Sequence, residues 1–393
     1  MDAHLRPARH THEAGLFALT AQFPTPTSSD PAAFRRALKL KLADPVSALF
    51  VAELNRQLVG YATVVLTNGG VNRMLTRLTS LALTVALFAP ATGAQQQLDQ
   101  PRPRYASRIM IHDLGRNTAT LVHRADGVWE APNWSRDGRF LLVNSQGTLF
   151  RVLADGTGQP EPLALDPALR CNNDHDFSPD GKLIAISASS PSSRQSQIYV
   201  ANADGSSPRL VVSAAPSYFH GWSPDGRYLS YVANRDGKQY DVYRVPAAGG
   251  AEERLTADPA YDDGPDYSPD GRWIYFNSDR GGGWNIWRMP AAGAGAEDQH
   301  AERVTTDALE DWFPHPSPDG KSLLFLSFPA GTRGHNDRAL PVQLRMIPIS
   351  GDRVTEVPPR VIAEVSGGQG TINVNSWAPD SRRFAYVTYE VLP

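Results

Sequence analysis

The chain has 393 residues, 41% of them hydrophobic and 20% charged, with 32 glycines and 32 prolines, the ordinary balance of a turn-rich soluble β protein. A net charge of −3 signals no basic surface, so nucleic acid is not an expected partner. The single cysteine, Cys171, cannot form an internal disulfide and reads as a small buried apolar residue.

In chain order, Leu5-Arg6-Pro7-Ala8 opens a strand-helix pattern and residues 34–41 read helical. Residues 48–54 and 58–62 then read as a hairpin. These features resemble the first third of a GNAT-type N-acetyltransferase. In that family acetyl-coenzyme A sits on a Gly-rich loop at a helix N-terminus. No such loop follows here, so acetyl transfer is not expected. Residues 1–73 read as a partial, non-functional α/β fragment, from an upstream gene piece read in frame or a start placed too early.

Met74-Leu75-Thr76-Arg77 is a short positive start, followed by the apolar run 78–90 and the small residues Ala91-Thr92-Gly93-Ala94. Residues 74–94 therefore form a signal-peptide-like segment, too short and wrongly flanked for a membrane span. The expected mature protein begins near Gln95, has no membrane span and is periplasmic or secreted. Residues 95–106 read as a linker.

From Trp134 onward one phrase recurs: an aromatic, Ser, Pro, Asp, Gly, then a short apolar run. Its aspartates are Asp137, Asp180, Asp225, Asp270, Asp319 and Asp380, spaced by 43, 45, 45, 49 and 61 residues. A period in the forties with strand-like runs inside it marks propeller blades. Within the phrase, Pro presets φ, the Asp carboxylate can take nearby backbone amides, and Gly accepts positive φ. All six aspartates are expected to serve the turn, and each aromatic to pack between blades. The last copy supplies two strands, residues 373–377 and 383–389. The missing outer pair, 107–112 and 119–122, lies at the other end of the repeat region. A blade shared by the two ends removes the open edge. The expected fold is all-β, a six-bladed β-propeller over residues 107–393 with terminal blade closure.

At these Ser-Pro-Asp-Gly copies the chain resembles the TolB-like family of WD40-like repeat propellers. TolB carries a further N-terminal domain that engages the cell-envelope Tol–Pal machinery, and residues 95–107 are too few to form one. The resemblance implies a propeller that binds a protein, with an envelope association.

Function is expected where the copies differ, just before each aromatic, where the innermost strand starts near the channel mouth. The residues there are Glu130, Asn173, Asp174, Tyr218, Asp262, Asp263, Asp311, Trp312, Asn373 and Asn375. His175, His220 and His315 stand at nearly equivalent points of three blades and, with Gln369, could hold a divalent metal, manganese or calcium. The segments around His175 and His220 look similar to oligogalacturonate lyases, propellers that use a metal to neutralise a uronate carboxylate while a base removes a proton. Those lyases usually have seven blades, and no base is assignable here. The preferred reading is therefore an exported propeller binding a protein or small ligand at its mouth, with no catalytic residues assigned. The alternatives are a metal-dependent carbohydrate-active enzyme and a non-catalytic envelope scaffold.

Overall fold

The computed structural model describes residues 4–7, 47–54, 57–65, 104–350, 353–354 and 357–392. The chain divides into two units, residues 1–100 and 101–393. In the first, strands His4–Pro7, Ser47–Leu54 and Gln57–Val65 form an antiparallel sheet in that order, with the expected hairpin as its second and third strands. The helix expected at 34–41 and the signal-peptide-like segment 74–94 lie outside the described residues.

The second unit is the six-bladed propeller. Blade one contains Trp129–Trp134, Phe140–Ser145, Thr148–Leu153 and Glu161–Pro162, and blade two contains Arg170–Phe177, Leu183–Ser190, Ser193–Asn202 and Arg209–Val212. Blade three contains Ser217–Trp222, Tyr228–Ala233, Asp241–Pro246 and Glu253–Arg254; blade four contains Asp262–Tyr267, Trp273–Ser278, Asn285–Pro290 and Glu302–Arg303. In blade five Glu310–Pro316 and Ser322–Phe328 lead to a long third strand, Leu340–Ser350, which pairs with both Arg353–Val354 and Arg360–Gly367. The widest repeat step, between Asp319 and Asp380, reflects this lengthened blade and the loop at 329–339.

Blade six joins the two ends of the propeller. Arg383–Leu392 pairs along its whole length with Arg104–Asp113, which pairs in turn with Thr118–Asp126. The closing strand therefore begins three residues before the expected boundary at 107. The expected inner strand 373–377 is not formed: a 3-10 turn at Gln369–Thr371 precedes it, and only Trp377 bridges to Phe384. The reason is local competition for the backbone. Asn375 Oδ1 accepts the Trp377 amide at 3.2 Å, while the Asn373 and Asn375 amide groups donate across the axis to blades two and four.

The repeated phrase is turn chemistry, as expected. Ser135, Ser178, Ser223, Ser268 and Ser317 each donate their hydroxyl to the aspartate two residues on, at 2.6–2.7 Å. That carboxylate also accepts a backbone amide two residues later. The intervening glycines sit at φ 68–71°, a region closed to most side chains. The aromatic of the phrase fills the space between blades. Trp222 donates through Nε1 to the Asp176 carbonyl of blade two, and Trp377 does the same to the His315 carbonyl of blade five. Each of the six gaps between adjacent sheets holds its own apolar cluster. The one containing Ile109, Val387, Trp134 and Leu141 seals blade six against blade one.

Removing residues 104–126 takes two of the three strands from blade six and exposes the edge of Arg383–Leu392. Thermal unfolding of that deletion is expected to lose its single cooperative transition; a parent-like melt would contradict the closure. Asp225→Ala should lower stability by about 1 kcal/mol at neutral pH through its lost turn hydrogen bonds. The Ser223 hydroxyl and the Arg227 amide hold the Asp225 carboxyl down at about 2. Its contribution is present above the unfolded value of about 3.9 and lost as pH falls through the folded value. Urea melts of the two proteins should accordingly converge between about pH 4 and 2.

Candidate binding site at the channel mouth

The blades place their two ends in different chemical situations. Each inner strand ends at the repeated Ser-Asp turn and begins at the opposite rim, beside the loops between second and third strands. On five blades the inner strand carries a register shift near its middle, which re-aims side chains toward the axis. In blades one, four and five the residue before the inner-strand proline is left-handed: Ala131, Gly264 and Phe313 at φ 59°, 61° and 55°.

Deep in the channel, polar side chains from five blades pair across the axis. Asn133 donates to Asp176 Oδ1 at 2.7 Å and to the Asn375 carbonyl, and Arg136 grips both Asp176 oxygens. Asn375 donates to Asp266 Oδ2 at 2.9 Å. His315 sets Nδ1 3.1 Å from the same oxygen and Nε2 2.7 Å from the Ile372 carbonyl. Blade three contributes Gly221, where a Cβ would press on Ser230 Oγ at 3.0 Å and Asp266 Oδ1 at 3.1 Å.

Above this floor lies a cavity of about 270 Å³ lined by Asn172, Asn173, Asp174, Tyr218, His220, Tyr240, Tyr261, Asp263, His335, Asn336 and Gln369. His220 Nε2 lies 3.1 Å from Asp263 Oδ1, and Asp263 Oδ2 accepts the Tyr261 hydroxyl at 3.3 Å. Burial opposes charge on both members of this pair. Their mutual contact wins: His220, also facing Asp174 and Asp266, is raised above the usual imidazole range, and Asp263 is lowered. Burial pushes Asp174 up, opposed by His220 and by the amides of Asn373 and Asn172, each donating at 2.6 Å. Aromatic rings follow one another around this rim. Tyr218 meets Tyr240 at 5.8 Å and Tyr240 stacks on Tyr261 at 5.2 Å. Tyr261 meets Trp284 edge-on, and Trp284 leads through Trp312 to His335.

Of the residues expected at the mouth, Asn173, Asp174, Tyr218, His220, Asp263 and Gln369 share this cavity. The others stand elsewhere. Strand alternation turns Asp262 and Asp311 away from Asp263 and Trp312: Arg280 clamps Asp262 with two contacts of 2.9 Å, and Arg345 clamps Asp311 at 2.6 Å. Burial carries Asp262 up to about 7 and Asp311 to about 6 against those guanidinium groups. Trp312 backs His335, and Asn373 holds Asp174 in place. Asn375 belongs to the floor. Glu130, raised by burial, faces Arg338 at 3.6 Å.

The three histidines do not share a volume. His175 packs against blade one with Nε2 3.3 Å from the Leu142 carbonyl, and burial drops it to about 4. His315 is engaged at both nitrogens in the floor, so only His220 reaches the cavity with Gln369. Among the described residues no group of three or more His, Cys, Asp or Glu stands placed to hold a metal ion. Of the four ligands named for a metal, the cavity gathers His220 and Gln369.

Tyr240, Tyr261, His335 and Asn336 were outside the expected set because they sit on loops rather than ahead of the repeated aromatic. Their signals are tyrosines at the mouth-side strand ends and, for the last pair, the lengthened fifth repeat. The Gly367-Gly368-Gln369-Gly370 run explains how that loop is held. Gln369 donates its backbone amide to the His335 carbonyl at 3.0 Å. A Cβ on Gly368 would overlap the Asp337 carbonyl oxygen, and one on Gly370 would collide with Glu130 and the Tyr389 hydroxyl. Gly368→Ala should thus displace loop 331–339 without touching a blade core, giving faster amide exchange there and unchanged exchange in residues 228–233. Unchanged loop exchange would contradict this account.

Comparison with known proteins supports the architecture. The family model for the TolB beta propeller domain matches residues 176–340. An uncharacterised protein of Agrobacterium fabrum is 43% identical over 283 residues, spanning 72% of this chain and 92% of that protein. A solved structure from Agrobacterium tumefaciens, provisionally described as a TolB, is 41% identical with a TM-score of 0.68, covering 74% of this chain and 100% of its own. The Tol-Pal system protein TolB of Francisella tularensis subsp. mediasiatica is 30% identical over 115 residues, 28% of this chain and 26% of that protein. Repeat chemistry, blade count and relatives agree: the chain belongs to the TolB-like β-propeller family.

Proposed function

We propose that this protein is an exported TolB-like propeller that holds a protein or small ligand in the cavity at its channel mouth. The observation that carries this reading is the contrast between the two ends of the blades. The turn end repeats one chemistry, whereas the mouth end differs from blade to blade and gathers eleven polar and aromatic residues around about 270 Å³. A concave site with a few convergent polar groups is the usual form of a binding pocket. The signal-peptide-like residues 74–94 support export, and among the described residues no helix is long and apolar enough to cross a membrane. The resemblance to a Tol-Pal system protein favours a protein as occupant and, with it, an envelope association.

Immobilised full-length protein should retain a partner from solubilised envelope proteins of its own cell. Tyr240→Ala combined with Asp263→Asn should reduce that retention about tenfold or more, consistent with loss of a central contact. Lys182→Ala, at the turn end, should leave it unchanged. Equal retention by all three proteins would refute a mouth site. Fractionation of cells expressing the tagged chain tests export, and a product confined to the cytosol would overturn that part.

A further inference from the structure

Resting on the mouth-site reading, we infer that the cavity takes a protonated amine, a lysine side chain of a partner protein or a free alkylamine. The charge count comes first. The lining contains two carboxylates, Asp174 and Asp263, and two imidazoles, of which burial holds His335 toward its neutral form, with no lysine or arginine among the eleven residues. Asp174 and Asp263 are 2% and 5% exposed, so water screens their charge poorly and a cation arriving beside them gains more than it would at an open surface. Asp263 is already matched by its contact with His220. Asp174 is oriented by the neutral amides of Asn172 and Asn373 and has to share the His220 imidazole with Asp263, so two carboxylates face one imidazole.

The second observation is independent of charge. Three phenol rings, Tyr218, Tyr240 and Tyr261, line the same cavity, and their successive contacts set them as one aromatic wall. A ring face attracts a cation through its quadrupole, an effect that grows when water is excluded. Aromatic walls beside buried carboxylates are the chemistry that recognises ammonium groups. An anion would meet two carboxylates and the negative faces of the rings. The amides of Asn173, Asn336 and Gln369 add further acceptors for N–H donors around the rim.

The test is calorimetric titration of the full-length protein with three probes: Nα-acetyl-lysine amide, its Nε-acetylated counterpart, and cadaverine. The lysine amide should bind and the acetylated form, whose nitrogen is an uncharged amide, should not. Tighter binding of the lysine amide than of cadaverine would identify a protein side chain as the source, and the reverse a free amine. Tyr240→Leu should weaken binding about two- to thirty-fold, whereas Tyr240→Phe, which keeps the ring face, should bind within about twofold of the parent. Asp174→Asn should weaken it about tenfold, with Asp263→Asn as a second carboxylate variant should the first fail to fold. Equal binding of the acetylated probe, or no binding of either amine, would overturn the inference. If envelope-partner retention still depended on Tyr240 and Asp263 in that case, the mouth site would stand and only its cationic occupant would fall. Amine binding that persisted in both Asp174→Asn and Tyr240→Leu would overturn the placement in this cavity as well.

Discussion

Every blade in this molecule is a sheet with two apolar faces, and a sheet of that kind is stable only when another covers each face. In a ring this condition is met for all blades or fails for two of them. The pairing of Arg383–Leu392 with Arg104–Asp113 meets it, because the two ends of the propeller complete one sheet. The cluster of Ile109, Val387, Trp134 and Leu141 then seals the last gap. Closure also fixes where the inner strands converge, and the chemistry of the axis follows from that.

Five inner strands and the segment 373–377 brought to one axis leave little room, and polar groups placed there lose their water. Such groups are tolerable only when paired. The floor is the result: Asn133, Asp176, Asp266, His315 and Asn375 answer one another across five blades. Blade three yields space with Gly221, since a side chain there would press on Asp266. The sixth blade gives up its inner strand to the same demand. Asn373 and Asn375 spend their amides on Asp174 and Asp266, and a regular ladder through these residues is lost.

The mouth is built by the same strands two to four residues earlier. Adjacent acidic residues take opposite fates there: Asp262 is locked by Arg280 inside the blade, while Asp263 meets His220 at the cavity. The guanidinium clamps on Asp262 and Asp311 are structural, since removing one partner would strand a buried charge. The cavity also needs parts from outside the repeat. Loop 329–339 brings His335 and Asn336, and Gly368 lets the chain pass close enough to Asp337 to hold that loop.

The repeat, the turn role of its aspartates, the inter-blade aromatics and the shared sixth blade were all legible in the sequence. Each depends on local chemistry copied at a regular period, and the copies of Ser-Pro-Asp-Gly report one another. Part of the mouth was legible for the same reason: Asn173, Asp174, Tyr218, His220 and Asp263 precede the repeated aromatic. What the sequence could not settle is which way each of those side chains points. His175 and His220 stand two residues before Phe177 and Trp222, yet one is buried against Leu142 and the other reaches the cavity. A bulge in the inner strand shifts the pleat by one residue, and one residue is the difference between the axis and the blade interior. Tyr240, Tyr261 and His335 lie on loops with no common spacing. Only the tertiary structure assembles them, because their proximity is set by how six blades meet around one axis and not by any interval along the chain.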